Sequence, residues 1–136
     1  MKNIHLWISI IIIGLSSCND DKVENYLGNW DAAYIEINEV EPIFCTKSWA
    51  EIFKLDDGSM RVELRICEEE FFATTNNYNF DRVEFDFVDQ LASDVEIVVE
   101  GTIKYIGGVE IQLEMLRDVY VDGFFVSEKD YYCIFD

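Results

Sequence analysis

The chain has almost none of the residues on which most small enzymes and metal sites depend. Its 136 residues include one histidine, His5, and one proline, Pro42. No serine lies in a glycine-flanked elbow, and no two cysteines have the spacing of a zinc-ligand pair. A two-carboxylate glycosidase fits the composition, but a domain of this size rarely provides the long cleft that its substrates need. We therefore predict a protein that is not an enzyme, with no catalytic residue, metal site or cofactor.

Basic residues are scarce as well. The sequence has 10 Lys and Arg against 28 Asp and Glu, which gives a formal net charge of −18. A surface this acidic repels nucleic acid and anionic lipid headgroups, so we expect no nucleic-acid partner. Cations, basic proteins and neutral ligands are the partners that the charge favours, and the charge also keeps a protein soluble.

The first 17 residues have the pattern of an export signal. Lys2 supplies a positive start, residues 4–15 form an apolar core, and small residues follow it. The next residues, Leu15-Ser16-Ser17-Cys18, resemble the lipobox of bacterial lipoproteins. That resemblance implies cleavage before Cys18 and acylation of its thiol, so that the protein is anchored to a membrane without spanning it. Cleavage removes His5, the only histidine.

The polar residues after Cys18 favour the outer membrane as the location. Asn19-Asp20-Asp21 resembles the acidic export signal of surface lipoproteins from Bacteroidetes, which implies the cell surface; the periplasmic face is the alternative. We expect residues 18–26 to be a lipidated tether and residues 27–136 to form one domain. With Cys18 acylated, three thiols stay available, which suggests one disulfide and one free cysteine. Three pairings are possible among Cys45, Cys67 and Cys133.

The domain is rich in strand-forming residues with period-2 alternation. Consecutive strands at this spacing predict an all-β fold, an antiparallel barrel of eight to nine strands, with a β-sandwich as the alternative. The predicted strands are residues 30–38, 46–55, 59–67, 71–75, 80–88, 95–106, 109–117, 124–126 and 131–135.

Two predicted hairpins decide which side chains face the interior. A two-residue Asp57-Gly58 loop turns Trp49 and Phe53 inward. The same register places Glu51 on the inward face, where it is either an interior carboxylate or rotated outward by a bulge. This loop also holds Cys45 and Cys67 apart unless the chain near Cys45 folds back. A three-residue loop, Ile106-Gly107-Gly108, with a glycine in a left-handed bulge, opposes Tyr105 to Val109 and Lys104 to Glu110.

Gly28-Asn29-Trp30 at the head of the first strand resembles the Gly-x-Trp signature of lipocalins and the wider calycin group. The resemblance implies an eight-stranded up-and-down barrel in which Trp30 packs across the closed end and the open end takes small apolar ligands. That family usually places an arginine from the last barrel strands against this tryptophan. The late arginine of this sequence is Arg117, with two further predicted strands after it.

Two functions fit these observations. The first is a membrane-anchored, non-enzymatic lipoprotein that binds a small apolar or amphipathic ligand in a lipocalin-like barrel, with Trp49, Glu51, Phe53 and Tyr105 as candidate ligand-binding residues. The alternative is an acidic interaction module, such as an inhibitor, immunity factor or complex subunit, that binds a basic protein. An internal cavity favours the first, and a solid core with a strongly negative patch favours the second.

Overall fold

The computed structural model describes residues 26–136 and shows one sheet of eight antiparallel strands that curls into a nearly closed barrel. The predicted all-β barrel is confirmed, and one continuous sheet stands in place of the two layers of a sandwich. The strands are β1 (Gly28–Ile37), β2 (Trp49–Lys54), β3 (Met60–Ile66), β4 (Glu69–Thr75), β5 (Arg82–Ala92), β6 (Val95–Ile106), β7 (Glu110–Val121) and β8 (Phe124–Phe135).

The strands follow one another around the barrel, and β1 pairs with β8. The sheet order β4-β3-β2-β1-β8-β7-β6-β5 leaves β4 and β5 as the two edges. In the described chain these edges form no ladder. They meet near one end, where the Glu84 amide donates to the Asn77 carbonyl at 2.9 Å and the Thr75 hydroxyl donates to the Glu84 carbonyl at 2.7 Å. The seam between β4 and β5 is therefore open over much of its length.

Alternating side chains fill the interior. The fully buried residues include Ile52, Leu64, Ile103, Leu113 and Phe135, which come from five different strands. Because successive strand residues point to opposite faces, each strand contributes every second side chain to this core. Inside the barrel the Phe85 ring lies directly over Gly101, where a Cβ atom would collide with it.

The predicted register of the first hairpin is wrong by one residue. Lys54 opposes Met60, and the Leu55 amide donates to the Ser59 carbonyl at 2.8 Å, so the loop has three residues rather than two. The Asp57 carboxylate accepts from the Ser59 amide at 2.9 Å, and Gly58 takes a positive φ of 87°, which accommodates the extra residue.

A one-residue slip turns every side chain of a strand to the other face. Ala50 and Ile52 therefore point into the core, with no exposed surface. The intervening Trp49 and Phe53 lie half-exposed on the outer face, contrary to the prediction, and Glu51 lies on that face with them. Glu51 opposes Glu63 there, so it is not an interior carboxylate.

The three-residue loop of the second hairpin is confirmed, although its position moves by one residue. The loop is residues 107–109, and both glycines have positive φ, 63° at Gly107 and 94° at Gly108. Tyr105 thus opposes Ile111, and Lys104 opposes Gln112 rather than Glu110. Each partner shifts by two residues, so the faces stay as predicted and Ile103 and Ile111 are both buried.

The predicted turn at residues 127–130 is wrong, because β8 runs unbroken from Phe124 to Phe135. Those polar residues pair with β7, and a bulge between Val119 and Tyr120 absorbs the irregularity. Cross-strand pairing with a long neighbour outweighs the local turn preference of Ser127 and Asp130.

The cysteine pairing is Cys45 with Cys67, and Cys133 is free and buried. The chain before β2 folds back toward the end of β3, which the bridge requires. The Ser48 hydroxyl supports this path by accepting from the Cys67 amide at 2.8 Å. Burial raises the pKa of the Cys133 thiol to about 12, so the free cysteine is a core residue rather than a nucleophile.

Residues 1–25, which hold the predicted signal, Cys18 and most of the tether, lie outside the described residues. Between residues 26 and 136 no helix has the length and hydrophobicity needed to cross a bilayer.

Candidate functional site

The two ends of the barrel are built differently. One end carries the β2–β3, β4–β5 and β6–β7 connections together with Tyr26 and the C-terminus; we call it the plugged end. The other end carries the β1–β2, β3–β4, β5–β6 and β7–β8 connections; we call it the mouth. The disulfide holds the β1–β2 connection to the β3–β4 turn at the mouth.

Aromatic side chains close the plugged end. The Trp30 indole nitrogen donates to the Tyr26 carbonyl at 3.1 Å. The Tyr105 ring meets the rings of Tyr26 and Trp30 edge-on, with centroids 5.8 Å and 6.5 Å away. Burial, with a smaller effect from the Asp81 charge, raises the pKa of Tyr26 to about 12. Gly28, just before this cluster, enters β1 with a positive φ of 133°.

The structure does not bring the four predicted ligand-binding residues together. Tyr105 belongs to the plugged end, where it packs against Tyr26 and Trp30. Trp49, Glu51 and Phe53 lie on the outer face of β2 for the reason given above. Arg117 lies six residues along β7 from Ile111, on the mouth side, so it is not the partner of Trp30.

Toward the mouth the inner surface changes from apolar to charged. Lys129 of β8 donates to the Glu69 carboxylate of β4 at 2.5 Å, across the open side of the barrel. The Tyr131 hydroxyl donates to the other oxygen of Glu69, and the Lys129 ammonium lies 5.4 Å from the Tyr131 ring centre. One carboxylate thus links a lysine and a tyrosine of β8 to the edge strand β4.

This network shifts the ionisation of both acids in it. Burial alone raises the pKa of Glu69, but hydrogen bonds from Lys129 and Tyr131 and the charges of Lys129 and Arg117 lower it overall. Burial and the adjacent Glu69 carboxylate raise the pKa of Tyr131 well above its usual value. At neutral pH Glu69 is therefore an anion and Tyr131 a neutral donor.

Arg117 is the exceptional residue of the mouth. It lies half-buried and directly opposite Lys129, so two cations meet on adjacent strands of a strongly acidic protein. Six of the cations between residues 26 and 136 form ion pairs with acids, but Arg117 forms none there; Lys54 is the other exception. Like charges in this arrangement destabilise a sheet unless an anion balances them.

Arg117 borders a pocket of about 250 Å³ in the open seam between β4 and β5. Its apolar wall consists of Phe71, Phe87, Leu91, Ile97 and Val99, and its charged residues are Arg117, Glu69, Glu70 and Asp89. We call this the mouth pocket. The period-2 pattern already placed Arg117 on the same face as Met115, and this was the one signal in the sequence that could have identified it.

A larger concavity lies on the outer surface of β5 to β8 and β1. This acidic groove of about 760 Å³ is lined by the carboxylates of Glu36, Glu39, Glu84, Asp86, Glu100, Glu114 and Asp130. Arg82 pairs with Glu84 at 3.4 Å and Lys104 with Glu114 at 3.9 Å. Asp86 and Glu100 oppose each other directly, and neither forms an ion pair within the described part of the chain.

These acids do not form a metal centre. Among residues 26–136, no group of three or more His, Cys, Asp or Glu side chains is arranged to hold a metal ion. The carboxylates of the acidic groove are spread along several strands instead of converging on one point.

Comparison with known proteins adds little to this geometry. Neither the scan against protein-family models nor the search of curated proteins finds a match. One solved structure is similar, a protein of unknown function from the DUF3598 family of Nostoc punctiforme, with 16% identity and a TM-score of 0.43. The match covers 84% of this chain and 49% of that protein, so the chain spans about half the length of the protein it resembles.

Proposed function

We propose that this protein is a membrane-anchored, non-enzymatic lipoprotein whose barrel binds a small amphipathic ligand at the mouth. One observation carries the proposal: the mouth pocket joins an apolar wall to a half-buried arginine that forms no ion pair with an acid of the described chain. Ligand sites in proteins typically combine such apolar walls with a few charged groups that fix the ligand's orientation.

The packing of the barrel centre favours the mouth as the ligand-binding site. Side chains such as Ile52, Leu64 and Leu113 are fully buried and pack against one another, so a ligand has no room among them. A pocket of about 250 Å³ is slightly smaller than the roughly 300–1,000 Å³ of common ligand sites. The ligand is thus small, or part of it lies outside the pocket.

The anchor is the second part of the proposal. It rests on the lipobox-like residues up to Cys18, and the outer membrane, with the domain at the cell surface, is the proposed location. The described chain begins with Tyr26 at the plugged end, which is opposite the mouth. Labelling cells with an alkyne fatty acid tests the anchor: label should enter the wild-type chain and be absent from Cys18→Ala.

Native mass spectrometry of the protein purified from its own cells tests the ligand. We expect a small molecule that co-purifies with the wild-type chain and is lost from Arg117→Gln. A chain that carries no small molecule, in either the wild type or the variant, contradicts this function.

The acidic groove favours a second candidate function, binding of a basic protein. Asp86 and Glu100 repel each other across adjacent strands, and a lysine or arginine from a partner would relieve that repulsion. Co-purification of a basic protein that is lost from Asp86→Asn combined with Glu100→Gln is the expected result for this candidate. Retention of that protein by the double variant contradicts it.

A further inference from the structure

We infer that the mouth pocket recognises the carboxylate headgroup of an amphipathic ligand, and that Arg117 is the residue that binds it. This inference rests on the proposed ligand-binding function and names the chemical class of the ligand. It begins with the opposed pair of cations, Arg117 and Lys129, on the inner face of β7 and β8.

The two cations differ in what neutralises them. Lys129 lies 2.5 Å from the Glu69 carboxylate, which also accepts from Tyr131, so one negative charge is already committed to it. Arg117 receives the longer-range attraction of that carboxylate but forms no ion pair inside residues 26–136. The two cations therefore carry one positive charge more than Glu69 neutralises. The pocket lining holds two further acids, Glu70, which pairs with Arg65, and Asp89.

The chemistry of arginine selects the headgroup. A guanidinium presents parallel N–H donors that match the two oxygens of a carboxylate. Half-burial of Arg117 strengthens such a contact, because water screens it less than on an open surface. A neutral alcohol offers one oxygen and no charge, and a quaternary ammonium is repelled.

The walls of the pocket select the rest of the ligand. Val99 lies directly opposite Arg117, Phe87 lies opposite Val99 on the next strand, and both line the pocket. Leu91 also lines it, with 65% of its surface exposed. An apolar chain on Leu91 removes this surface from water, which favours binding in proportion to the area covered. The open seam between β4 and β5 lets such a chain leave the pocket sideways.

Asp89 offers a second way to test whether the ligand bound at Arg117 is an anion. Its carboxylate lines the same pocket and forms no ion pair in the described structure. A bound anion is repelled by Asp89 and attracted by Arg117, so neutralising these two residues should change the affinity in opposite directions. A purely structural role for Arg117 predicts no improvement on substitution of Asp89.

The test is calorimetric titration of the full chain, purified from its own cells and reconstituted in phosphatidylcholine nanodiscs. The probes are octanoate, octanol and octyltrimethylammonium, with empty nanodiscs as the blank for partitioning. The variants are Arg117→Gln, Arg117→Lys and Asp89→Asn. Lys54→Gln is the matched control, because Lys54 is the other cation without an ion pair and it lies on β2 near the plugged end.

We expect the wild type to bind octanoate in preference to octanol and not to bind the ammonium. Arg117→Gln should weaken octanoate binding by about tenfold or more, as loss of a charge-assisted pair does, and Arg117→Lys by less. Asp89→Asn should strengthen it about two- to threefold, as removal of one partly screened like charge does. Lys54→Gln should leave it unchanged.

Three results overturn the inference. Equal binding of octanol and octanoate contradicts recognition of the carboxylate headgroup, and so does an unchanged octanoate affinity in Arg117→Gln. Neither result contradicts the proposed binding of a ligand at the mouth. No binding of octanoate by a wild-type chain that still carries a co-purified molecule shows a different ligand class. No binding and no co-purified molecule overturns the proposed function as well. Circular dichroism of each variant separates lost binding from lost folding, and a gain of affinity in Asp89→Asn cannot result from misfolding.

Discussion

The plugged end and the mouth are formed by the same strands but differ in the side chains that face the interior. At the plugged end Tyr26, Trp30 and Tyr105 pack ring against ring, and the Trp30 indole nitrogen donates to the Tyr26 carbonyl. At the mouth Arg117 and Lys129 point into the barrel, where burial disfavours charge. Charged groups placed there reduce stability unless they are paired, and this contrast is the reason that we propose the mouth, and not the plugged end, as the site of binding.

The largest expected loss of stability comes from a substitution in the plugged end. Trp30→Ala removes the indole that contacts Tyr26 and Tyr105, and we expect it to reduce the free energy of unfolding by about 3 kcal/mol, as large-to-small core substitutions do. Urea denaturation measures it. Trp49→Ala is the matched control, because Trp49 lies on the outer face of β2, and it should have about one third of this effect. Equal losses in the two variants contradict the register described for β2.

The disulfide is the strongest single constraint at the mouth. Cys45 and Cys67 are 22 residues apart, and replacing both with alanine should lower the free energy of unfolding by about 2–3 kcal/mol, as expected for a loop of this length. Chemical denaturation measures it. Adding a reductant should destabilise the wild type by a similar amount and leave the double variant unchanged. A reductant effect that persists without these cysteines shows that another bridge exists.

Glu69→Gln tests how the charged network at the mouth contributes to stability at different pH values. The pKa of Glu69 is lowered in the folded protein, so its contribution to stability is present above its ordinary value of 4.5 and is lost as pH falls below it. We expect the variant to be about 1 kcal/mol less stable than the wild type at pH 7, because the pair is partly exposed, and the difference to shrink below pH 4.5.

Urea unfolding at several pH values measures this difference. Glu70→Gln removes the same charge from the outer face, where it pairs with Arg65 at 3.9 Å, and should have a smaller effect at pH 7. A difference between Glu69→Gln and wild type that grows on acidification contradicts the assigned direction of the shift.

The smallest effect on stability is expected at the margin of the mouth pocket. Leu91 is 65% exposed, so Leu91→Ser should change the free energy of unfolding by no more than about 0.5 kcal/mol. The same substitution should weaken octanoate binding, since the ligand chain loses an apolar contact. A large loss of stability places Leu91 in the core and removes it from the proposed site.

The sequence predicted the architecture better than the register. Alternation located most of the strands, and the bounds of β6 match those predicted, because period-2 patterns are strong in strands of this length. The equally long β8 was predicted as two short strands. The first hairpin failed because one hydrogen-bonded aspartate, Asp57, changed the loop from two residues to three. That single residue turned Trp49, Glu51 and Phe53 away from the interior.

The mouth pocket needed information that no local pattern contains. Its lining comes from four strands, and Glu69 and Lys129 are 60 residues apart in the chain. Alternation along β7 could have indicated that Arg117 shares a face with Met115, but it could not show that Lys129 opposes Arg117 or that the β4–β5 seam stays open beside it. Those features depend on how the barrel closes, which is set by non-local pairing.

Hydrogen–deuterium exchange with and without octanoate tests the division between the two ends most directly. We expect slower exchange on adding octanoate in residues 87–99 and 115–131, which border the mouth pocket, and no change in residues 26–32 or 103–111 at the plugged end. Protection confined to the plugged end, or no protection anywhere at saturating octanoate, contradicts it.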